Sequence, residues 1–393
     1  MKVAFFITSK GPGVGGHFYS LRATVEALAK QFDTEIINIG LFPSVVLRHL
    51  TNWQFFPIQR PILKTLLSLR TYVGRSRPDV LHAFDLESLL FCRFLALLNN
   101  KPVLFTKCGG PNPIRYFPIV DEMIVYSSEN LSFFEKSARY SHAKIHHIAN
   151  RIQIVEQDPL RIEMLRQKIR PGATVFMRIS RISKFHKPSI LSSIELVRGL
   201  IRDGHNVQLL LVGAVQDQSF AKELWNYAGK DIIVEAEDQF TRDASRLLGI
   251  ADFVIGTGRG AMEAAFLGKV LLAPTANAEL PILVNAGNIE QFFSYNFSGR
   301  AVIPNASEVD QYNLITAFVE NAQLRKDYAD FITAFARRNF DINTRLEDYA
   351  RLYGSLQKKG ACHPIDLLFH MELVRRSLNQ AREEARKRGE TVA

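Results

Sequence analysis

The sequence predicts an α/β protein with two doubly wound parallel sheets, each in its own domain. Short buried-strand runs alternate with helical segments along most of the chain, which is the pattern of a parallel sheet covered by helices. The alternation stops at a polar, charged stretch near residues 151–172 and then starts again, so we expect this stretch to connect two domains. The chain has 393 residues, more than one ordinary core accommodates.

The first half opens with the strand run KVAFFITS, a glycine-rich turn, and the segment HFYSLRATVEALAKQF with apolar residues at helical spacing. The remaining predicted elements, in chain order, are the strands TEIINIG, PDVLHAF and PVLFTK around the helix SLLFCRFLALLNN, and the strands DEMIVYS and AKIHHIAN around the helix SENLSFFEKSARY. This order predicts an N-terminal Rossmann-like domain over residues 1–160.

The second half repeats the alternation. Its predicted strands are TVFMRIS, VQLLLVG, IIVEA, ADFVIGT and KVLLAP, and its predicted helices are KPSILSSIELVRGLIRDG, SFAKELWNYAG, TRDASRLLGI and GAMEAAFLG. They predict a second Rossmann-like domain over residues 172–340. Arg and Glu at helical spacing from His363 onward predict a solvated terminal helix. We expect C-terminal helices over 341–393, with a return to the first domain as one option.

Composition limits the class of protein. Hydrophobic residues make up 47 % and charged residues 22 % of the chain, as in soluble globular proteins, and no apolar run approaches the roughly 20 residues that cross a bilayer. The first apolar run is too short for a signal peptide. The three cysteines, Cys92, Cys108 and Cys362, are widely spaced and lack a CxxC pair, so we expect neither a disulfide framework nor a zinc site. A cytoplasmic location fits.

The formal charge of +10 is unevenly distributed, because the stretch from Ile36 to Pro78 has no Asp or Glu but many Arg, Lys and aromatic residues. One interpretation is contact with an anionic membrane surface through residues 41–77. The other is a surface helix pair that joins the core. Nucleic acid is not expected as a partner, because the chain has no basic recognition helix or RNA-binding aromatic motif.

The first glycine motif, Gly11 to Gly16, matches GxGxxG between a strand and a helix. An NAD site would need an acidic residue at the end of the second strand, where Asn38 and Gly40 stand instead. The motif therefore predicts either an anion or sugar contact through backbone amides or a tight strand–helix turn.

The second motif is RISRISKFHK, at the end of the first strand of the second half. Its cations are Arg178, Arg181, Lys184 and Lys187. They stand at a helix N-terminus, where the helix dipole already attracts anions. We interpret them as a diphosphate site, with a solvated charge run as the alternative.

The third motif is GTGRGAMEAAFLGK, from Gly256 to Lys269. Its glycines allow backbone approach to phosphate at a helix start. Glu263, expected in the first helical turn, could accept hydrogen bonds from a ribose diol or simply complement the helix dipole.

Together these motifs resemble the retaining glycosyltransferases of the GT-B fold, family 4, over about residues 1–355. The matching segments, in order, are GVGGHFYSLRATVEALAKQF, RPDVLHAFDLESLL with KPVLFTKCGG, HHIANRI, RISRISKFHKP and ADFVIGTGRGAMEAAFLGKVLL. The resemblance implies two Rossmann-like domains facing a cleft and transfer from a nucleotide-sugar with retention of configuration. It implies no cofactor, and because the sequence has no D-x-D motif, we expect no metal.

The resemblance also implies roles for individual residues. Arg181 and either Lys187 or Lys184 would neutralise the donor diphosphate, and Glu263 would hold the ribose. The resemblance also implies donor contacts at Gly256, Gly258, Gly15 and Gly16, and Arg259 and Gly260 of the same turn are further candidates.

Some family positions differ in this chain. Ile255 stands where the family has its first glutamate, and Phe84 and Cys108 stand where it has two histidines. The candidate acceptor contacts are then His82, Asp85 and Cys108.

The expected function is a metal-independent glycosyltransferase that acts on a glycan or lipid-linked acceptor in cell-surface polysaccharide synthesis. It would be cytoplasmic or peripheral on the inner membrane face. The alternatives are a sugar-nucleotide epimerase and a non-catalytic nucleotide-sugar-binding relative.

Overall fold

The computed structural model describes residues 1–114, 116–304, 307–357, 364–387 and 389. The chain divides into two compact units, Met1–Arg151 with Ile342–Ala393, and Ile152–Asp341. Cys362 and His363, the expected start of the terminal helix, lie outside the described residues.

The first unit is built on a seven-stranded parallel sheet in the order β3-β2-β1-β4-β5-β6-β7. Its strands are β1 (Lys2–Ser9), β2 (Asp33–Gly40), β3 (Trp53–Pro57), β4 (Val80–Ala83), β5 (Val103–Lys107), β6 (Glu122–Val125) and β7 (Lys144–His147). Its first helices are α1 (Gly16–Leu28), α2 (Ile62–Ser76), α3 (Leu86–Asn99) and α4 (Ser128–Lys136), followed by a 3-10 turn at Ala138–Tyr140.

The sheet of the first unit is covered on both faces. Phe6 of β1 packs in one apolar cluster with residues of α3, while Phe5 packs in a second cluster with residues of α1. Because both faces are buried, β1 reads as a continuous apolar run instead of an alternating one.

The acid-free stretch differs from both the helix-pair interpretation and the sequence-predicted element order. It contains an additional strand, β3, and one helix, α2. The aromatic residues of β3 pair with β2 at the edge of the sheet, where β-propensity favours them.

The second unit has a six-stranded sheet in the order β10-β9-β8-β11-β12-β13. Its strands are β8 (Thr174–Ile179), β9 (Val207–Val212), β10 (Ile232–Glu235), β11 (Phe253–Ile255), β12 (Val270–Ala273) and β13 (Ile282–Leu283). Its helices are α5 (Pro159–Arg166), α6 (Lys187–Arg202), α7 (Gln218–Trp225), α8 (Asp238–Thr241), α9 (Gly258–Phe266), α10 (Ile289–Ser294), α11 (Glu308–Glu320) and α12 (Ala322–Phe340).

Three features of the second unit differ from the sequence prediction. The short edge strand β13 runs antiparallel to β12. The segment TRDASRLLGI forms mostly a 3-10 helix, Ala244–Ile250. The expected connection at 151–172 lies almost wholly within this unit and contains α5, which is capped by the Asp158 side chain accepting from the Arg161 amide at 3.1 Å.

After the second unit the chain returns to the first, through a 3-10 turn at Ile342–Arg345 and the helices α13 (Leu346–Ser355) and α14 (Pro364–Lys387). Buried Asp366 holds α14 in place, since its carboxylate accepts from Arg93 at 2.6 Å and from Arg139 at 2.8 Å. Among the described residues, no helix has the length and apolar character to span a bilayer.

Candidate functional site

The second and third motifs lie side by side at one edge of the second sheet. The motif at 181–187 follows β8, and the motif at 256–263 follows β11. The two strands are parallel neighbours, with Phe176 beside Phe253 and Met177 beside Val254. Their carboxyl ends therefore share the edge at which ligands bind to open α/β sheets.

Arg178 links these two strand ends from within the core. It is 2 % exposed; one amino group donates to the Ile255 carbonyl at 3.3 Å and the other to Ser189 Oγ, in the first turn of α6, at 2.7 Å. Burial lowers the pKa of Arg178 to about 10, so it stays a cation at neutral pH. Arg178 is thus a buried structural residue that connects β11 and α6 by hydrogen bonds, and not one of the surface cations that the sequence suggested.

Arg181 is the cation that this corner leaves unpaired. Its side chain is exposed, and among the described residues its guanidinium has no hydrogen-bond or ion-pair partner. It stands between the end of β8 and the start of α6, where the helix dipole is already positive. A cation in this position is unfavourable by itself and becomes favourable when an anion binds.

His186, which the sequence reasoning did not single out, lies close to the cations of this corner. Its Nδ1 lies 2.8 Å from Ser183 Oγ. Burial, with the nearby charges of Arg181 and Arg178, lowers the pKa of His186 to about 4. The ring is therefore neutral near pH 7, and the position could have been noticed only as a histidine among four cations.

The two candidate lysines both have carboxylate partners near α7. Lys187 Nζ lies 2.6 Å from Glu223 Oε2 and over the ring of Phe220. Lys184 Nζ lies 3.6 Å from Asp217 Oδ2, and its side chain is 74 % exposed. The pair formed by Lys184 is the longer and more solvated one, so it costs less to break.

The glycine turn between β11 and α9 is set by backbone sterics. A Cβ on Gly256 would come within 3.0 Å of the Ala261 backbone. Gly258 has φ +52°, which favours glycine, and its N–H donates to the Phe297 carbonyl at 2.8 Å. Gly260 lies with Arg259 in the first turn of α9. It faces open space, because, apart from its chain neighbours and its own helix backbone, no atom of the described residues lies within 4 Å of the point that a Cβ would occupy.

Glu263 lies in the second turn of α9, because the helix begins at Gly258 and not later as the sequence predicted. Its buried carboxylate accepts from Arg259 Nε at 2.7 Å. Burial raises the pKa of Glu263, opposed by Arg259 and by a hydrogen bond from Ser245. Dipole complementarity in the first turn therefore does not explain this residue.

Asn296 is a second residue that the sequence reasoning missed. It adopts φ +54° beside the glycine turn, with its carbonyl 4.0 Å from where a Gly258 Cβ would lie. Its Oδ1 is buried without a hydrogen-bond partner among the described residues. Asparagine tolerates this backbone conformation, but no sequence signal connected it with Gly258.

In the first unit, Gly15 caps α1 and Gly16 is its first residue. The preceding loop is fixed by Ser44, whose hydroxyl donates to the Gly13 carbonyl at 2.8 Å and whose amide donates to Asn38 Oδ1 at 2.9 Å. Both interpretations of this loop, as a ligand contact and as a tight turn, agree with this geometry.

Asp85 caps α3 at the carboxyl end of β4. Its carboxylate accepts from the amides of Ser88 at 2.7 Å and Thr8 at 2.5 Å. Burial and the neighbouring Glu87 raise the pKa of Asp85. Glu87 in turn forms an ion pair with Lys10 at 2.7 Å, so these two charges at the edge neutralise each other.

His82 and Cys108 have partners inside the first unit. The fully buried His82 ring lies 2.9 Å from the Tyr353 hydroxyl and 2.7 Å from Thr106 Oγ1, and burial lowers its pKa to about 3. The Cys108 thiol contacts the Phe84 carbonyl at 3.4 Å, and burial raises its pKa to about 12. These contacts give both residues a structural explanation.

The second unit therefore offers an exposed cation, two helix starts and a glycine turn along one sheet edge, with a buried carboxylate on α9. Such a set suits a bound phosphate group with a polar group next to it. Among the described residues, no group of three or more His, Cys, Asp or Glu is arranged to hold a metal ion.

No protein-family model matches the chain, and no curated protein matches it. Solved structures do resemble it. Alr3699/HepE of Anabaena, solved with UDP and glucose, is 18 % identical with a TM-score of 0.67, covering 91 % of this chain and 100 % of its own. A glycosyltransferase of Rickettsia africae is 15 % identical with a TM-score of 0.65, covering 90 % and 97 %.

A third similar structure belongs to another enzyme class. A protein named as a putative UDP-N-acetylglucosamine 2-epimerase, from Listeria monocytogenes, is 13 % identical with a TM-score of 0.57, covering 92 % of this chain and 98 % of its own. At these identities the likeness concerns the fold. The chain has the GT-B fold, with two Rossmann-like domains that are each built on a parallel or mostly parallel sheet.

Proposed function

We propose that this protein is a glycosyltransferase that moves a sugar from a UDP-linked donor to a glycan or lipid-linked acceptor. UDP is chosen because HepE was solved with UDP and with UDP-glucose. Retention of configuration, independence from metal and a role in cell-surface polysaccharide synthesis are parts of the same proposal, and they rest on the sequence resemblance.

The observation that carries the proposal is Arg181, which has no partner among the described residues. It lies in the loop between β8 and α6, and the strand beside β8, β11, leads into the glycine turn of α9. Breaking the glycosyl–phosphate bond leaves negative charge on the departing UDP. Arg181 and the amides at the two helix starts would stabilise that charge, and one such donor is worth about 3 kcal/mol in the transition state. This supply of positive charge needs no metal ion.

Lys184 is our candidate for the second cation. Its 3.6 Å pair with Asp217 is longer than the 2.6 Å pair of Lys187 with Glu223. A departing diphosphate would compete more easily for Lys184, which lies in the same loop as Arg181. Lys187, held by Glu223 and Phe220, would instead brace α6 against α7.

Glu263 would accept hydrogen bonds from the ribose hydroxyls, with Arg259 keeping its carboxylate ionised and oriented. The glycines at 256, 258 and 260 leave the backbone open beside it. Gly15 and Gly16 remain candidates for donor contacts from the first unit, and Asp85 remains the candidate for acceptor contact. His82 and Cys108 are not part of the proposed site.

The proposal is tested by incubating the protein with UDP-glucose and cell-extract glycolipids, with and without EDTA. With the glucose of UDP-glucose labelled, we expect a labelled glycolipid in both conditions. Label that stays entirely in the donor, under conditions in which UDP binds, would contradict transfer.

An epimerase is the second candidate, favoured by the likeness to the Listeria structure. Incubation of UDP-N-acetylglucosamine without any acceptor separates the two activities. An epimerised donor sugar supports the epimerase, while an unchanged donor argues against it. Binding of UDP with neither product would indicate a non-catalytic binder.

A further inference from the structure

The first unit contains an apolar groove that the proposed sugar chemistry does not use. It has a volume of about 630 Å³ and lies between the start of α2, the middle of α3 and one side of α14. Its apolar lining includes Ile58, Leu66, Phe94, Leu368, Met371 and Leu378.

Several apolar side chains in the groove, and two more on α2, are exposed to water. Leu368 is 64 % exposed, Met371 40 % and Ile62 42 %. Two further leucines of α2, Leu63 and Leu67, are 56 % and 50 % exposed. A soluble monomer rarely leaves a contiguous apolar patch of this kind open to water without a binding role.

Arg382, a buried cation that forms no ion pair among the described residues, lines the groove. Arg382 is 8 % exposed and donates to the Ile58 carbonyl at 3.3 Å, and its Nε has no hydrogen-bond partner among the described residues. Burial lowers its pKa, and the nearby cations Arg60 and Arg386 lower it further. Glu372 also lines the groove, but its carboxylate pairs with Arg375 and Arg376. A buried charge without an ion-pair partner is costly, so the position of Arg382 favours an anionic ligand.

Arg60 also lines the groove, and it is exposed. It donates to Asn379 Oδ1 at 3.4 Å and, in the described part of the chain, forms no ion pair. Arg60 begins the approach to α2, which carries the exposed cations Lys64, Arg70 and Arg75 in a stretch without Asp or Glu. Cations and apolar side chains thus share one surface, as in proteins that lie on anionic bilayers.

The cationic part of the groove lies close to the carboxyl edge of the first sheet. Ile58, which binds Arg382, directly follows β3. Ser377 of α14 donates at 2.5 Å to Glu87, which follows β4. Through Ser377, α14 therefore contacts the turn that also carries Asp85, the candidate acceptor contact.

We propose that this groove binds a hydrocarbon chain of a phosphate-bearing membrane lipid, with Arg60 and Arg382 holding the phosphate, so that α2 and α14 dock on an anionic bilayer. The apolar lining excludes free phosphate as the natural ligand, because phosphate would leave that lining in water. The further step, that the sugar acceptor is itself such a lipid, rests on the proposed function.

The test is sedimentation with vesicles of about 30 % phosphatidylglycerol in phosphatidylcholine, compared with phosphatidylcholine alone. We expect pelleting with the anionic vesicles only, and little competition by inorganic phosphate. Each cation near the lipid surface contributes about 1 kcal/mol, or about fivefold in affinity. Arg60→Gln and Arg382→Gln should each weaken binding by about that factor.

Two matched controls distinguish the groove from general charge attraction. Arg351→Gln removes an exposed charge from α13, and Leu160→Ser removes an exposed leucine from α5; both should leave binding unchanged. Leu368→Ser, at an exposed position that should not disturb folding, should weaken binding as the arginine variants do. Equal pelleting with neutral vesicles, or a Leu368→Ser protein that binds like the unmodified one, would overturn the proposal.

The same preparations should be tested for thermal stabilisation by UDP. Stabilisation by UDP without lipid binding would refute the groove and leave the proposed function standing. Lipid binding without any effect of UDP would support the groove and count against the proposed function.

Discussion

The carboxyl edges of the two sheets treat charge in opposite ways. In the first unit Lys10 forms an ion pair with Glu87 at 2.7 Å, and the carboxylate of Asp85 accepts hydrogen bonds from two backbone amides. In the second unit the buried Arg178 donates hydrogen bonds to a carbonyl and a hydroxyl and, among the described residues, has no carboxylate partner. Arg181 has no partner among those residues. The first edge is neutralised within the protein, whereas the second keeps a positive field that a ligand can complete.

This difference supports the proposed anion site in the second unit. A surface arginine costs little in water, but Arg181, in the loop that leads to the start of α6, shares its surroundings with buried Arg178 and becomes more favourable when an anion binds. An edge already neutralised by its own carboxylate offers less to a diphosphate and more to hydroxyl groups. The contrast therefore favours the second unit for the donor and leaves the acceptor to the first.

The largest expected effect comes from removing the unpaired cation. Arg181→Gln should lower the rate of UDP release from UDP-glucose about a hundredfold, since one preorganised donor to a developing charge is worth that much. Arg202→Gln, at the exposed last residue of α6, is the control and should keep the rate. Equal losses in the two variants would mean that overall charge, and not the position of Arg181, matters.

Removal of the buried carboxylate should have the next largest effect. Glu263→Gln should weaken UDP binding about tenfold, because a hydrogen bond to a charged group contributes about 1.5–3 kcal/mol. Calorimetry with 2′-deoxy-UDP gives a sharper test. The unmodified protein should discriminate against the deoxy compound and Glu263→Gln should not; if both discriminate equally, the ribose assignment is wrong.

The two lysines should differ by a smaller factor. Lys184→Gln should lower UDP affinity about fivefold, corresponding to about 1 kcal/mol for one solvated phosphate contact. Lys187→Gln should leave UDP affinity nearly unchanged and lower the melting temperature instead, since it breaks the pair with Glu223. The reverse pattern would assign Lys187 to the diphosphate.

The smallest expected effect is on the pH dependence of stability, through the buried His82 of the first unit. Burial lowers the pKa of His82 to about 3, whereas an unfolded histidine titrates near 6.5. The unfolded state then binds more protons, so the stability from His82 is present above about pH 6.5 and is lost as pH falls toward about 3. His82→Asn should give a shallower fall of the melting temperature over this range.

The control for that measurement is His142→Asn, at an exposed position of the first unit. It should keep the pH slope of the unmodified protein. A slope that is unchanged in His82→Asn would show that other groups, such as His186 and His370, carry the acid sensitivity.

Most of the fold was predictable because buried strands and amphipathic helices carry strong local patterns. β1 and the strand that ends at Ile179 follow their apolar runs closely. The aromatic edge strand β3 was not predicted, because its residues are only partly buried and its neighbours are basic. Edge strands have one pairing partner, so their pattern is weak.

The site was predictable in its residue types but not in its charge balance. Arg178 and Arg181 look alike in sequence, yet one is a buried structural residue and the other is exposed, since three residues separate a strand from a loop. Lys187 looks free until α7 brings Glu223 beside it. Asn296 approaches Gly258 only through the fold. Pairing across distant segments depends on tertiary structure, which local pattern does not contain.

The most direct test of the central claim compares UDP with UMP, since these ligands differ by one phosphate. Calorimetric titration in EDTA should show that the unmodified protein binds UDP at least about tenfold more tightly than UMP, a difference of about 1.4 kcal/mol, and that Arg181→Gln loses most of this preference. An unchanged preference in Arg181→Gln, or no preference in the unmodified protein, would contradict a diphosphate site at the edge formed by β8 and β11.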